Sequence, residues 1–265
     1  MSKPTDTHTT HREVELLDTL RSLGGSARTA ALAEALSVSE ETVRRTVKAL
    51  AKTGIVHRVH GGVYLANTDA TSPVISRLEK HATEKTLIAS TAAGLIPNGA
   101  CVFLDVGSTT AFVAEALRNH SDLTVVTNGL HPAQSLMRRN GNTVWLAGGE
   151  LREVEAGTFG NTALDFVGRF NIDMAVLSID GIDPASGFLL AGAAEAELAR
   201  AVVSRAKRSL VVADHSKFGQ TAPIVACPPD AIDMLVTDVP LAPLYRKCMA
   251  DWDIETVVAR KPRKG

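Results

Sequence analysis

The chain has 265 residues, enough for two domains of ordinary size that each bury a core. Apolar residues make up 45% and charged residues 22%, and no apolar run approaches the ~18 residues of a membrane span, so a soluble, globular, cytoplasmic protein without a membrane partner is expected. A formal net charge of −1 excludes a general attraction for polyanions, so any nucleic-acid binding must come from a local patch.

Residues 1–10 are polar and lack the apolar stretch of an export signal. Cys101, Cys227 and Cys248 are widely spaced, with no Cys-x-x-Cys or Cys/His cluster, which argues against a disulfide framework and against a metal site. No cofactor is expected.

Three helices are predicted first, over residues 12–23, 29–36 and 40–53. The first carries Val14, Leu17 and Leu20 as its apolar stripe. In the third, Ser39 is a good N-cap, Glu40 and Glu41 complement the helix dipole, and Gly54 is placed to end it. At ~100° per residue, Val43, Val47 and Leu50 share one face, while Glu41, Arg44, Arg45 and Lys48 gather on the opposite one. The spacing over residues 29–48 is that of a helix-turn-helix.

After Gly54, residues 55–59, the pair Gly61-Gly62 and residues 63–65 read as a hairpin, the wing of a winged helix. Arg58 and His60, with His57, sit where a wing touches phosphate or the minor groove. A cationic helix face alone is usually just solvated; its conjunction with a cap, a preceding short helix, a glycine turn and a basic wing points to DNA. Ser39, Thr42, Arg44, Arg45, Lys48, Arg58, His60, Gly61 and Gly62 are the candidate DNA-binding residues.

The run from Ser39 to Arg45, followed by Gly54 to Gly62, resembles the DeoR family of bacterial repressors, whose pattern is S-x-x-T-[IV]-R-R-D-L and then G-x-[IL]-x-R-x-H-G-G. Where the family has Asp and Leu, this chain has Thr46 and Val47. An Asp there would orient a neighbouring arginine. The resemblance implies operator DNA as partner for a domain spanning residues 1–66.

Residues 67–76 read as a linker, small and polar around Pro73, and residues 259–265 as a basic tail. Between them β-rich runs alternate with helical stretches, so residues 77–258 should form an α/β domain. Strands are predicted at 101–104, 123–126, 143–146, 174–179, 210–213, 234–236 and 254–258. Asp105, Gly107, Ser108, Thr109, Thr110, Thr127, Asn128, Gly148, Gly149, Asp180 and Lys217 all follow strands, where an open parallel sheet binds ligands. Gly107 to Thr110 precede a helix over 111–117 and could cradle a phosphate, although Ser108 also reads as a cap and Gly107 as a turn. Lys217 could neutralise that phosphate or lie free on the surface. Glu195, with Glu197, could accept ligand hydroxyls or belong to a solvated first turn of a helix running to Ala206.

Glu84-Lys85, Asp105 to Thr110, Thr127-Asn128, Leu146 to Arg152, Glu195 to Glu197, Asp214 to Gly219 and Thr237-Asp238 resemble the DeoR-type sensor domain from Arg77 to Asp238. The resemblance implies a fold similar to ribose-5-phosphate isomerase and a sugar-phosphate inducer. Thr162 to Phe166 and Gly181 to Asp183 look like the glycerol-3-phosphate repressor branch, although the small residues Ala191 to Ala194 open the pocket to another ligand. The expected partners are operator DNA, a sugar or polyol phosphate such as glycerol 3-phosphate, and further copies in a dimer or tetramer. An isomerase is the rival class, since Asp105, Asp180, Glu195 and Lys217 could serve as acid and base, but a catalytic chain gains nothing obvious from a winged helix. An RNA module lacks its aromatic platform.

Overall fold

The computed structural model describes residues 11–23, 26–52, 55–59, 62–65 and 74–260, which form two compact units. The first contains α1 (His11–Ser22), β1 (Ser26–Arg28), α2 (Thr29–Ala35), α3 (Glu40–Lys52), β2 (Val56–Val59) and β3 (Gly62–Leu65). Ser39 Oγ accepts the Thr42 N–H at 3.2 Å, so α3 starts on the cap that its sequence provides. Ser37, with φ 52°, makes the tight turn between α2 and α3. Val43, Val47 and Leu50 of α3 pack with Leu16, Leu17, Leu20, Leu32, Val56 and Val63 in one core.

Two details differ from the sequence reading. Val14 is 45% exposed, and Leu16 takes its place in the core. Rotating α1 so that three leucines face inward buries more apolar area than a stripe containing valine. The hairpin pairs Val56 with Leu65 and Val59 with Gly62, and β1 adds a third strand through Ala27 and Val63. A three-residue strand is too short to show a period in sequence. Thr53, Gly54, His60, Gly61, residues 67–73 of the expected linker and residues 261–265 of the expected tail lie outside the described residues.

The second unit opens with α4 (Val74–Glu79), α5 (Ala82–Ala93), β4 (Cys101–Leu104), α6 (Ser108–Ala116), β5 (Thr124–Thr127), α7 (Leu130–Leu136) and β6 (Thr143–Leu146). A hairpin of β7 (Glu150–Arg152) and β8 (Gly157–Phe159) and the short α8 (Asn161–Val167) lead to β9 (Ile172–Leu177). There follow β10 (Gly181–Asp183), β11 (Gly187–Leu190), α9 (Ala193–Val203), β12 (Ala206–Val212) and β13 (Ile224–Cys227). β14 (Met234–Thr237), α10 (Pro243–Asp251) and β15 (Glu255–Val258) complete it.

Seven strands form one parallel sheet in the order β15-β14-β12-β9-β4-β5-β6. Because side chains alternate along a strand, Phe103, Ala175 and Leu177 face one apolar layer with α8 and α9, while Val102, Leu104, Met174 and Val176 face the other with α5 and α6. The expected α/β class is therefore what the chain adopts. A small antiparallel sheet, β10-β11-β13, and the β7-β8 hairpin sit outside this frame. These extra strands have only three or four residues each, and no alternation announces them.

Several boundaries move, and three of them bear on the strand ends and the helices that follow. β9 ends at Leu177, not at Ile179, which frees Ser178 at the strand terminus. α9 ends at Val203, and Ala206 already belongs to β12. α6 starts at Ser108, so Ser108, Thr109 and Thr110 are its first turn and not a loop before it.

Replacing Leu50, which is 1% exposed, by Ala should cost the first unit about 2–5 kcal/mol. Differential scanning calorimetry of the full chain should show the first unit's transition displaced downward and the second unit's unchanged.

Candidate functional site

On α3, Arg44, Arg45 and Lys48 are exposed, and Val43, Val47 and Leu50 anchor the opposite side. Arg44 pairs with Glu40 at 2.8 Å and approaches Glu41 at 3.8 Å. An exposed pair of this spacing is worth only about 0.3–0.5 kcal/mol, so a phosphate or base edge can displace it. Among the described residues Arg45 and Lys48 have no acidic partner. Thr42 shares a hydroxyl contact with Ser39 at 2.9 Å. Thr46, which stands where the family pattern has Asp, donates its hydroxyl to the Thr42 carbonyl at 3.0 Å and orients no arginine. On the wing Arg58 is exposed, and Gly62 pairs with both Val59 and Arg28. Arg28 is exposed as well; its strand was not recognised in the sequence, so neither was its place beside the wing.

The second unit has its polar residues at the carboxyl ends of the strands. From β4 the chain runs to β5 and β6 on one side and then returns to place β9 on the other, so the loops after β4 and β9 diverge. Such a switch point opens a crevice. Asp105 spans it. Its Oδ2 accepts the Ser178 N–H at 2.7 Å and the Ser178 hydroxyl at 3.0 Å, and its Oδ1 accepts the Thr110 hydroxyl at 2.7 Å and the Gly107 N–H at 3.1 Å. Burial pushes the Asp105 carboxyl up, against the pull of these donors. A Cβ on Gly107 would lie 1.7 Å from Ser178 Oγ, which is why only glycine fits there.

A small cavity of about 20 Å³, room for a water-sized group, opens beside this clamp. Asp105, Asn128, Ser178 and Glu195 are its polar walls, and Phe103, Phe159, Leu177 and Leu198 are among its apolar ones. Asn128 donates its amide to the Thr158 carbonyl at 3.1 Å, while its Oδ1 is buried without a hydrogen-bond partner among the described residues. Gly192 caps α9, and a Cβ there would meet Glu195 Oε2 at 2.6 Å, so the Glu195 side chain folds back over the helix start.

The remaining expected site residues divide. Thr127 is fully buried, donating to the Leu104 carbonyl at 2.6 Å and accepting the Gly129 N–H at 2.9 Å, so it holds the frame behind the cavity. Thr110 spends its hydroxyl on Asp105. Ser108 and Thr109 are buried in the first turn of α6, and Ser108 does not cap it: that position is Gly107. Asp180 pairs with Arg77 at 3.6 Å and accepts the Ala191 N–H at 2.9 Å. Gly148 and Gly149 are exposed at the end of β6, and neither they nor Lys217 line the cavity.

Two residues were missed in the sequence. Ser178 was hidden inside an apolar run. Arg77 is 9% exposed on α4, and its Nε is buried without a hydrogen-bond partner among the described residues. Lys85 is not a ligand candidate, because its Nζ donates to the carbonyls of Arg77 and Lys80 at 2.6 and 2.7 Å and so holds the end of α4.

Burial, with Asp180 and Glu155 nearby and Arg77 opposing, raises the Glu195 carboxyl from 4.5 to about 8. The folded chain thus keeps a proton that the unfolded chain releases, and stability should fall as pH rises from about 4.5 to 8. Glu195→Gln should flatten the unfolding temperature of the second unit across that window. An unchanged pH slope in the variant would assign the fall to other groups.

Residues 12–69 match the DeoR-like helix-turn-helix domain and residues 80–239 the DeoR C-terminal sensor domain. The glycerol-3-phosphate regulon repressor of Escherichia coli is 36% identical over 231 residues, 87% of this chain and 92% of that protein. Its counterpart in Haemophilus influenzae is 36% identical over 75% of this chain and 77% of its own length. Among solved structures, ribose 5-phosphate isomerase A from Methanocaldococcus jannaschii is a distant likeness, at TM-score 0.38 and 18% identity over 52% of this chain and 55% of that one. No helix among the described residues is long and apolar enough to cross a membrane. By both of its domains and by its similarity to named regulators, this chain belongs to the DeoR family.

Proposed function

We propose that the protein is a cytoplasmic transcriptional repressor of a carbohydrate or polyol operon, released or retained on its operator by a sugar or polyol phosphate bound at the switch point of the second unit. The observation that carries the effector half is the cavity in which the buried Asn128 Oδ1 lacks a donor among the described residues: a ligand hydroxyl supplies one. The cavity's free space of about 20 Å³ admits a single hydroxyl-sized group, so a metabolite reaches Asn128 only with the walls drawn apart. The protonated Glu195 carboxyl offers a donor to the same ligand, and the Ser178 oxygen, whose proton goes to Asp105, offers an acceptor. Among the described residues the cavity walls include two carboxyl groups, Asp105 and Glu195, and no lysine or arginine, so the phosphate belongs at the rim, against the first-turn N–H groups of α6. Arg77 and Lys217 are its candidate cations. The similarity to glycerol-3-phosphate repressors makes glycerol 3-phosphate the first metabolite to try.

The same geometry disfavours catalysis. Both oxygens of Asp105 are engaged by Ser178, Thr110 and Gly107, which leaves no free base at the centre of the crevice. The operator half rests on Arg45, Lys48, Arg44 and Arg58, with Ser39 and Thr42 fixing the start of α3. One winged helix covers a short half-site, so the working form is a dimer or tetramer on a symmetric operator.

Fluorescence anisotropy on labelled operator, with metabolite varied, tests both halves. Arg45→Ala should weaken operator binding by about 1–3 kcal/mol and leave effector binding intact. Equal loss on random DNA would make it a phosphate contact. Lys217→Met should leave operator affinity unchanged without metabolite and demand roughly 10- to 100-fold more phosphorylated effector, the loss of one charge-assisted hydrogen bond. Identical response curves would move the phosphate elsewhere.

A further inference from the structure

We propose that His81, Asp214 and His215 form a binding site for a single borderline divalent cation, of the class of zinc, cobalt or nickel. One ligand atom from each of the three lies within 4.8 Å of the others. They come from two places in the fold. His81 is the residue before α5, with φ 53° and no side-chain capping bond, and Asp214-His215 follow β12.

Asp214 is 1% exposed. Its Oδ1 accepts the Ser216 N–H at 2.9 Å and also the Ser216 hydroxyl, but its Oδ2 is buried with no hydrogen-bond partner among the described residues. A buried, unpaired carboxylate oxygen is costly, and a cation is the partner that removes the cost. The imidazole beside it is already oriented. His215 Nδ1 lies 2.7 Å from Asp238 Oδ2, and Asp238 Oδ1 accepts the His215 backbone N–H at 2.7 Å. An Nδ1–H held by a carboxylate leaves the Nε2 lone pair for a metal, the outer-shell arrangement found behind many ligating histidines. The His81 ring meets the His215 ring edge to face, with centroids 5.2 Å apart.

Two imidazoles and one carboxylate select a borderline transition cation over magnesium or calcium, which take oxygen sets. Bonds of about 2.0–2.2 Å require the ligand atoms to close in slightly. The histidines can do this, because His81 is only partly buried and the His215 side chain is 45% exposed. Three protein ligands leave one tetrahedral position open to water. An occupied site would tie the start of α5 to the end of β12, two segments that the chain separates by more than a hundred residues and that no sequence spacing could connect.

The test uses the full chain, freed of metal by a chelator and titrated with zinc chloride by calorimetry and with cobalt chloride by absorption. One cation per chain should bind with a Kd on the order of a micromolar, and cobalt should show visible ligand-field bands without a thiolate charge-transfer band. Asn tolerates the left-handed backbone at position 81, so His81→Asn should fold and bind at least ~10-fold more weakly; Asp238→Asn, which acts through His215, should lose ~10- to 100-fold. The exposed His215→Ala provides a second removal should His81→Asn fail to fold. Wild-type affinity in both histidine variants, a thiolate band, or no stoichiometric binding in the wild type would each overturn the proposal.

Discussion

The Asp105 carboxylate, drawn across the gap between β4 and β9, is the interaction on which the second unit depends. The sheet order obliges the loops after these strands to part, because the chain leaves β4 in one direction and returns on its other side. Left alone, the gap would expose the Ser178 N–H and the strand ends to whatever entered. Asp105 closes its floor with four close donors, each a charge-assisted bond worth about 1.5–3 kcal/mol, while burial works against the charged form. That balance explains the neighbours. Gly107 is glycine because Ser178 occupies the space a Cβ needs, and Thr110 is a threonine whose hydroxyl completes the carboxylate's coordination.

With the floor closed, the cavity's chemistry is set by carboxyl groups that cannot all ionise. Burial first, then Asp180, Glu155 and Asp105, raise the proton affinity of Glu195, and Arg77 is the counterweight. Arg77 is itself held by Asp180, and its backbone carbonyl by the Lys85 ammonium. Asp180, a ligand candidate in sequence, and the motif residue Lys85 thus hold Arg77, the buried cation that acts on Glu195.

The first unit works on a simpler separation. α3 spends one face on the core and leaves the other charged, and its ion pairs among the described residues are short-range, exposed and weak. The cations therefore remain available to DNA at little cost, as a protein of net charge −1 requires if its binding is to be confined to one face.

The sequence by itself determined the winged helix, the α/β class and the placement of the candidate residues Asp105 and Asn128 at strand ends, because each is written in local pattern: Ser39 caps α3, Val43, Val47 and Leu50 repeat at helical spacing, and Asp105 and Asn128 directly follow β4 and β5. Glycine and cap positions act within a few residues, so reading them needs no partner. The three-residue strands, the burial of Leu16 in place of Val14, and the end of β9 that frees Ser178 were decided only by tertiary packing. So were the joining of Asp105 to Ser178, of Arg77 to Asp180, and of His81 to Asp214 and His215. Each joins residues far apart in the chain, and the energy that selects them is burial and hydrogen bonding realised only once a shared core has brought the elements together.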